Sequence, residues 1–70
     1  MSAIVRKLVA DLLIADSELA RESGLNEKTV KNIKSGRHSP RIATKRVFLD
    51  GLNKLLKKRG REPVGVEIFD

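Results

Sequence analysis

Four residues between positions 16 and 40 constrain the fold more than any others. Asp16 and Asn26 carry side-chain oxygens that can accept hydrogen bonds from the unpaired N–H groups at the start of a helix. Gly24 and Gly36 tolerate the left-handed conformation in which helices commonly end. The segment therefore predicts two short helices joined by a tight turn, at Ser17–Ser23, 24–26 and Glu27–Ser35.

The apolar residues of this segment follow helical spacing. Leu19 and Ala20 lie in the first predicted helix, and Leu25 fills the turn. Val30 and Ile33 are three residues apart, on one face of the second helix. At about 100° per residue, a buried stripe through these two leaves a polar face turned away from the core. The residues expected on that face are Lys28, Lys31, Asn32 and Ser35, with Glu27 in the first turn.

A resemblance to a known family covers residues 16–40, whose central part reads LARESGLNEKTVKNIKSG. The segment resembles the Cro/C1-type (lambda-repressor-like) helix-turn-helix of phage repressors and related bacterial regulators, in which the second helix enters the DNA major groove. One departure is Asp16, because the family often has a phosphate-bonding Gln there, whereas a carboxylate would repel phosphate. The resemblance implies base reading by Glu27, Lys28, Lys31 and Asn32, and contacts to the DNA backbone by Ser35, Arg37 and His38.

The positive charge is concentrated in one part of the chain. The formal net charge is +6, and residues 28–46 hold seven cations and no acid. The other 51 residues hold eight cations and nine acids. A solvated helix face is the alternative explanation, but such faces usually mix both signs. The distribution therefore predicts a phosphate-bearing partner, with salt-sensitive contacts from Lys34, Arg41 and Lys45.

Two further helices are predicted on either side of this segment. Ser2 is a suitable N-cap for a first helix that runs to about Ile14. Ser39 and Pro40 suit the cap and first position of a last helix, which Gly60 closes after about Arg59. Gly51 indicates either close packing in one helix or a break into two, and one helix is preferred. The expected apolar faces are Ile4, Val5, Leu8, Val9, Leu12 and Ala15 in the first helix and Ile42, Val47, Phe48, Leu49, Leu52, Leu55 and Leu56 in the last.

The C-terminal segment 61–70 predicts a short strand. Pro63 stops the preceding helix, and apolar residues then alternate with other residue types. A single strand has unpaired backbone groups, and we find no second strand in the chain for it to pair with. Pairing with the same strand of another copy would satisfy those groups, and a disordered tail is the alternative. The expected dimerisation residues are Val64, Val66, Ile68 and Phe69.

The residue types present also limit the function. Seventy residues make one domain, and the chain has no Cys. The only His, His38, has no neighbouring ligands, so we predict no metal site, no cofactor and no enzymatic activity. No apolar run is long enough to cross a membrane, and the N-terminus is a poor signal peptide. These features predict a cytoplasmic, nucleoid-associated protein.

The sequence thus predicts a mainly α, four-helix domain at residues 1–60, with the helix-turn-helix motif at 16–36 and a C-terminal strand or tail at 61–70. The expected function is that of a dimeric, sequence-specific transcriptional regulator, in particular a repressor that occludes a near-palindromic operator on double-stranded DNA. One alternative is the antitoxin of a toxin–antitoxin pair, which would also bind a protein partner. Another is an architectural or recombination accessory DNA-binding protein.

Overall fold

The computed structural model describes residues 1–36 and 40–69, and this part of the chain contains four α-helices. The mainly helical fold class is therefore confirmed. Arg37, His38 and Ser39, for which backbone contacts and a helix cap were predicted, lie outside the described residues, as does Asp70. The helices are α1 (Ala3–Asp11), α2 (Asp16–Ser23), α3 (Glu27–Ser35) and α4 (Ile42–Lys58), and a 3-10 helix follows at Val66–Phe69.

The hydrophobic core lies where α2 packs on α3 and α4. Each fully buried Leu or Phe contributes about 1.5–3 kcal/mol through the burial of its apolar surface. Every helix contributes to this core, and so does the 3-10 helix. The buried apolar residues are Val5, Val9, Ile14, Leu19, Ala20, Val30, Ile33, Phe48, Leu52, Leu55, Leu56 and Ile68.

Helix α1 begins as predicted but ends three residues before the expected position. The Ser2 side chain accepts a hydrogen bond from the Val5 N–H, which confirms the predicted cap. The helix ends at Asp11, and Leu13 adopts a left-handed φ of 57°. In a continued helix, Ile14 would lie about 180° from Val5 and face away from the core. The turn at Leu13 instead brings Ile14 into the core, where it is buried.

Helices α2 and α4 begin differently from the prediction. Ala15, not Asp16, occupies the N-cap position of α2, and no side chain caps this end. Asp16 is the first helical residue, and its carboxylate accepts a bond from Lys34 instead. Helix α4 begins at Ile42 with Arg41 at the N-cap, so the prediction of Pro40 as the first helical residue is wrong.

Helix α4 is continuous through Gly51, as preferred from the sequence. A Cβ atom on Gly51 would lie only 2.7 Å from both the Cα and the N atoms of Ser23 in α2. Because real Cβ contacts are essentially never that short, the close crossing of α2 and α4 requires a glycine here. Gly60 takes a φ of 70° after the helix, in agreement with its predicted role as the closing residue.

Four side chains predicted to lie on apolar faces are exposed, namely Ile4, Ala15, Ile42 and Val47, the last at 40%. Ile4 is 82% exposed on α1, where Val5 and Val9 form the buried stripe. Ile42 is 71% exposed because it is the first residue of α4, ahead of Phe48, the first buried side chain of that helix.

The predicted C-terminal strand is wrong, since the described residues contain no strand and the tail folds back onto the core as a 3-10 helix. Asn53 on α4 binds the segment that precedes the 3-10 helix. Its side-chain NH₂ group donates to Val64 O at 3.0 Å, and its side-chain oxygen accepts from Val64 N at 2.8 Å. The Ser2 N–H donates to Ile68 O. These three hydrogen bonds attach the described tail to α4 and to the start of the chain.

The same fold-back changes the surroundings of the predicted dimerisation residues. Ile68 is 1% exposed, and Val64 and Phe69 are half-buried against the core. The Phe69 ring packs edge-on against Phe48, with 6.0 Å between the ring centroids. Of the four predicted residues, Val66 alone is exposed.

Two ion pairs join the end of α4 to the outer side of α2. Arg59 donates to both carboxylate oxygens of Glu18, at 3.0 and 3.2 Å, and Lys58 bonds Glu22 at 2.9 Å. Lys58 and Arg59 therefore hold the end of α4 against α2. Within the described ranges, no helix has both the length and the apolar composition needed to cross a membrane.

Candidate nucleic-acid interface

Helix α3 is fixed to the core by one face and turned to solvent by the other. Val30 is fully buried and Ile33 is 3% exposed, and both pack in the same core as Leu19 and Ala20 of α2. The orientation predicted from helical spacing is therefore confirmed. The outward face presents the exposed residues Glu27, Lys28, Lys31 and Ser35 together with the half-buried Asn32.

Local interactions define both ends of this helix. The Asn26 side-chain oxygen accepts a hydrogen bond from the Thr29 N–H at 2.8 Å, as a helix cap does. Gly24 and Gly36 take φ values of 75° and 71°, which end α2 and α3 as predicted. The Asn26 cap and both glycines were identified correctly by local rules, so the position of Glu27 at the tip of α3 followed from the sequence, whereas the predicted Asp16 cap of α2 was wrong.

The two lysines expected to contact phosphate from the flanks have partners within the protein. Lys34 Nζ lies 2.6 Å from Asp16 Oδ1, and both side chains are largely buried, at 27% and 23% exposed. Lys45 Nζ lies over the Phe69 ring, 5.5 Å from its centroid, in a cation–π arrangement. Arg41 is exposed at the start of α4. The structure thus places Lys34 beside α3's outward face and Lys45 against the C-terminal 3-10 helix.

Ser35 also has an internal partner. Its hydroxyl donates to the Asn32 backbone oxygen at 3.1 Å, in the last turn of α3. A bond from this hydroxyl to a phosphate oxygen would require the hydroxyl to rotate away from that carbonyl.

A shallow depression of about 250 Å³ lies between α1, α2 and the end of α3, and three of its lining residues are cations. Arg6 is the member that the sequence interpretation missed, because it lies off the apolar stripe of α1 and 25 positions from Lys31. No local pattern could have brought the two together, since their proximity depends on how α1 packs. The lining residues are Arg6, Asp16, Lys31, Lys34 and Ser35.

The amino group of Met1 lies near this end of α3. It donates to Ile33 O at 3.0 Å, next to the carbonyls at the helix C-terminus. Burial lowers the pKa of this amine from its ordinary value, and the nearby Arg6 charge lowers it further.

A second depression, of about 570 Å³, lies along α4 and the tail. Its charged lining mixes one acid, Asp50, with Lys54, Lys57 and Arg61. No group of three or more His, Cys, Asp and Glu side chains in the described part of the chain is placed to hold a metal ion. The outward face of α3 and the depression beside it together hold four cations, Lys28, Lys31, Lys34 and Arg6, and two acids, Glu27 and Asp16.

Comparisons with protein-family models, with curated proteins and with solved structures found no match to this chain.

Proposed function

We propose that this protein is a sequence-specific DNA-binding regulator that inserts α3 into the major groove, as its resemblance to the Cro/C1-type helix-turn-helix implies. One observation carries the proposal: a helix anchored by Val30 and Ile33 presents Lys28, Lys31 and Asn32 on its opposite face. The major groove admits an α-helix and offers a distinct pattern of donors and acceptors for each base pair. A rigid helix with long polar side chains on one face suits that use.

Each residue on the outward face has a chemical role in this proposal. The Asn32 amide can both donate to and accept from adenine, and Lys28 or Lys31 can donate to the acceptor atoms of guanine. Glu27, at the exposed first turn, can accept a hydrogen bond from cytosine. Each well-formed pair would contribute about 1–3 kcal/mol of discrimination against the wrong base.

Contacts to the sugar–phosphate backbone would set the orientation of the protein on DNA. Arg41 is exposed and positioned by the start of α4, and Ser35 lies at the end of α3. Lys34 and Lys45 would exchange their present partners, Asp16 and Phe69, for phosphate or share them. Arg37 and His38 are included among the backbone contacts because the family resemblance implies that role for them. Such contacts give affinity without sequence preference.

We further propose that two copies bind a near-palindromic operator and repress by occluding a promoter. Two recognition helices would then enter successive major grooves about 34 Å apart. Exposed apolar side chains supply a surface for the contact between copies. Val66 is 66% exposed, and it shares the 3-10 helix with Phe69, over which Lys45 lies. Ile42, one helical turn before Lys45, is 71% exposed.

The proposal is tested by measuring affinity for an arbitrary 20–30 bp duplex over a range of salt concentrations. We expect tight binding at low salt, with log K falling linearly as log salt rises, because phosphate contacts release counterions. Lys31→Ala should weaken binding, whereas Lys57→Ala, an equal charge change on the far end of α4, should have little effect. Equal losses in both variants would mean that net charge, and not the α3 surface, binds DNA.

A further inference from the structure

The ion pair between Asp16 and Lys34 lies at the edge of the proposed DNA surface. The two atoms are 2.6 Å apart, closer than in the other ion pairs of the described residues. Asp16 begins α2 and Lys34 lies in the last turn of α3, so the pair spans the two helices of the motif. A lysine held in this way cannot offer all of its charge to an approaching phosphate.

The depression around this pair has the composition of a phosphate site with one extra carboxylate. Arg6, Lys31 and Lys34 supply three positive charges, and Asp16 supplies the only negative charge in the lining. The Arg6 guanidinium is a planar fork that can bind two phosphate oxygens, while lysine acts as a point charge. Apart from Asp16, each lining side chain is a hydrogen-bond donor suited to an anion.

We propose that this depression is a phosphate subsite in which Asp16 is an internal competitor for the anion. In the protein alone, the Asp16 carboxylate holds Lys34. When a phosphate enters, Lys34 turns to it, and Arg6 and Lys31 bind it from the other sides. This inference rests on the proposed DNA binding for its biological ligand, a backbone phosphate. Inorganic phosphate has the same chemistry and serves as an independent probe.

The consequence is that Asp16 lowers affinity for every DNA sequence alike. A backbone phosphate is present at each nucleotide, so a change in its subsite carries no sequence information. The carboxylate repels the phosphate and also keeps Lys34 engaged, which makes the subsite weaker than its three cations would otherwise be. Asp16 would thus keep non-specific binding low enough for the base contacts of α3 to select an operator.

The test compares Asp16→Asn with Asp50→Asn. The second variant removes the same charge from an exposed position on α4, which lines the depression of about 570 Å³. We expect Asp16→Asn to tighten binding to a random duplex by roughly two- to fivefold, the range of a partly exposed ion pair. The slope of log K against log salt should steepen by up to about 0.9, the value for one cation at a phosphate, because the carboxylate that compensates the Lys34 charge is gone. Asp50→Asn should leave both quantities close to those of the wild type.

A second pair of variants tests the arginine. Arg6→Ala should weaken binding and make the salt slope shallower by about 0.9, because one phosphate contact is lost. Arg61→Ala removes an exposed arginine from the opposite region and should change the slope little. Thermal unfolding of each variant shows whether it retains the fold. If it unfolds, Arg6→Gln and Asp16→Ser repeat the comparison with smaller structural change.

The outcomes separate this inference from the proposed function. If the wild type binds duplex DNA but Asp16→Asn behaves like Asp50→Asn, the subsite is refuted and DNA binding stands. If no variant binds DNA, the proposed function fails, and amide NMR shifts on adding inorganic phosphate decide about the subsite. Shifts confined to the neighbourhood of Arg6 and Lys34, and enlarged in Asp16→Asn, would support it. Absent or scattered shifts would overturn it.

Discussion

Gly51 shows how one missing side chain determines the crossing of two helices. A Cβ atom added to Gly51 would lie 2.7 Å from backbone atoms of Ser23, so there is no room for even a methyl group. Ser23 is itself buried, and α2 cannot easily move away because its Leu19 and Ala20 side chains are buried in the core. The sequence left two explanations for this glycine, close packing in one helix or a break into two helices, and the structure shows close packing.

Gly51→Ala is expected to destabilise the protein although alanine favours helices. The gain in helix propensity is about 1 kcal/mol. The steric conflict with Ser23 should cost more, with a net loss of about 1–3 kcal/mol. Chemical denaturation followed by circular dichroism measures this difference. Asp50→Ala, at the exposed neighbouring position, is the control and should change stability by less than about 0.5 kcal/mol. A more stable Gly51→Ala protein would contradict the close crossing.

Asn53 is a residue whose role could not be found in the sequence. Its amide makes two hydrogen bonds to the backbone of Val64, eleven positions away. We expect Asn53→Ala to cost about 1–3 kcal/mol, because Val64 loses both partners. Hydrogen exchange at the Val64 amide should accelerate more than exchange in α2. Asn53→Asp, which keeps the acceptor and loses the donor, should have an intermediate effect. Unchanged exchange in both variants would show that the tail is held by other contacts.

Among the secondary-structure elements, the motif was predictable and the tail was not. Helix α3 and the turn before it follow from Gly24, Gly36 and the Asn26 cap, which act within four residues, so α3 was predicted with its correct bounds. Helix α2 begins one residue earlier than predicted. Helix α1 ends early because Ile14 is buried in the core, and this tertiary packing outweighs the helical preference of Leu13. The alternating pattern of the tail indicated a strand. The tail instead forms a 3-10 helix, with hydrogen bonds from Val64 to Asn53 and from the Ser2 N–H to Ile68 O.

The contact between α2 and the end of α4 is expected to respond to pH. The Lys58 side chain, through its hydrogen bond and then its charge, lowers the pKa of Glu22 below its ordinary value. A lowered carboxylate pKa in the folded state stabilises the protein above the ordinary glutamate pKa. That contribution disappears as the pH falls through the lowered value. It is a surface pair, so the effect should be small.

Glu22→Gln provides the measurement for this pair. The Tm difference between the wild type and Glu22→Gln should favour the wild type at neutral pH and shrink towards zero as the pH falls through the lowered pKa of Glu22. Lys58→Gln should show the same trend, since it removes the other partner. A difference that grows as the pH falls would contradict the assigned direction of the pKa shift.

Considered as one body, the protein combines a small aliphatic core with strongly uneven charge. Most of the candidate site could be predicted from the Asn26 cap, the two glycines and the Val30–Ile33 stripe, because each of these acts within one helix. Arg6 and the Asp16–Lys34 pair could not be predicted, because α1, α2 and α3 meet there only in the folded state. Under the proposed function, the balance between base reading and phosphate attraction would therefore depend on the assembled domain.

The central claim, that α3 reads DNA sequence, is tested most directly by selecting from randomised duplex DNA at physiological salt with the wild type and with Asn32→Ala. We predict that the wild type enriches an inverted repeat whose half-sites are about 10 bp apart, as two recognition helices in successive grooves require. Asn32→Ala should lose preference at one symmetric base-pair position and keep the rest. Retained DNA without a motif, or an identical motif in both proteins, would contradict sequence reading by α3.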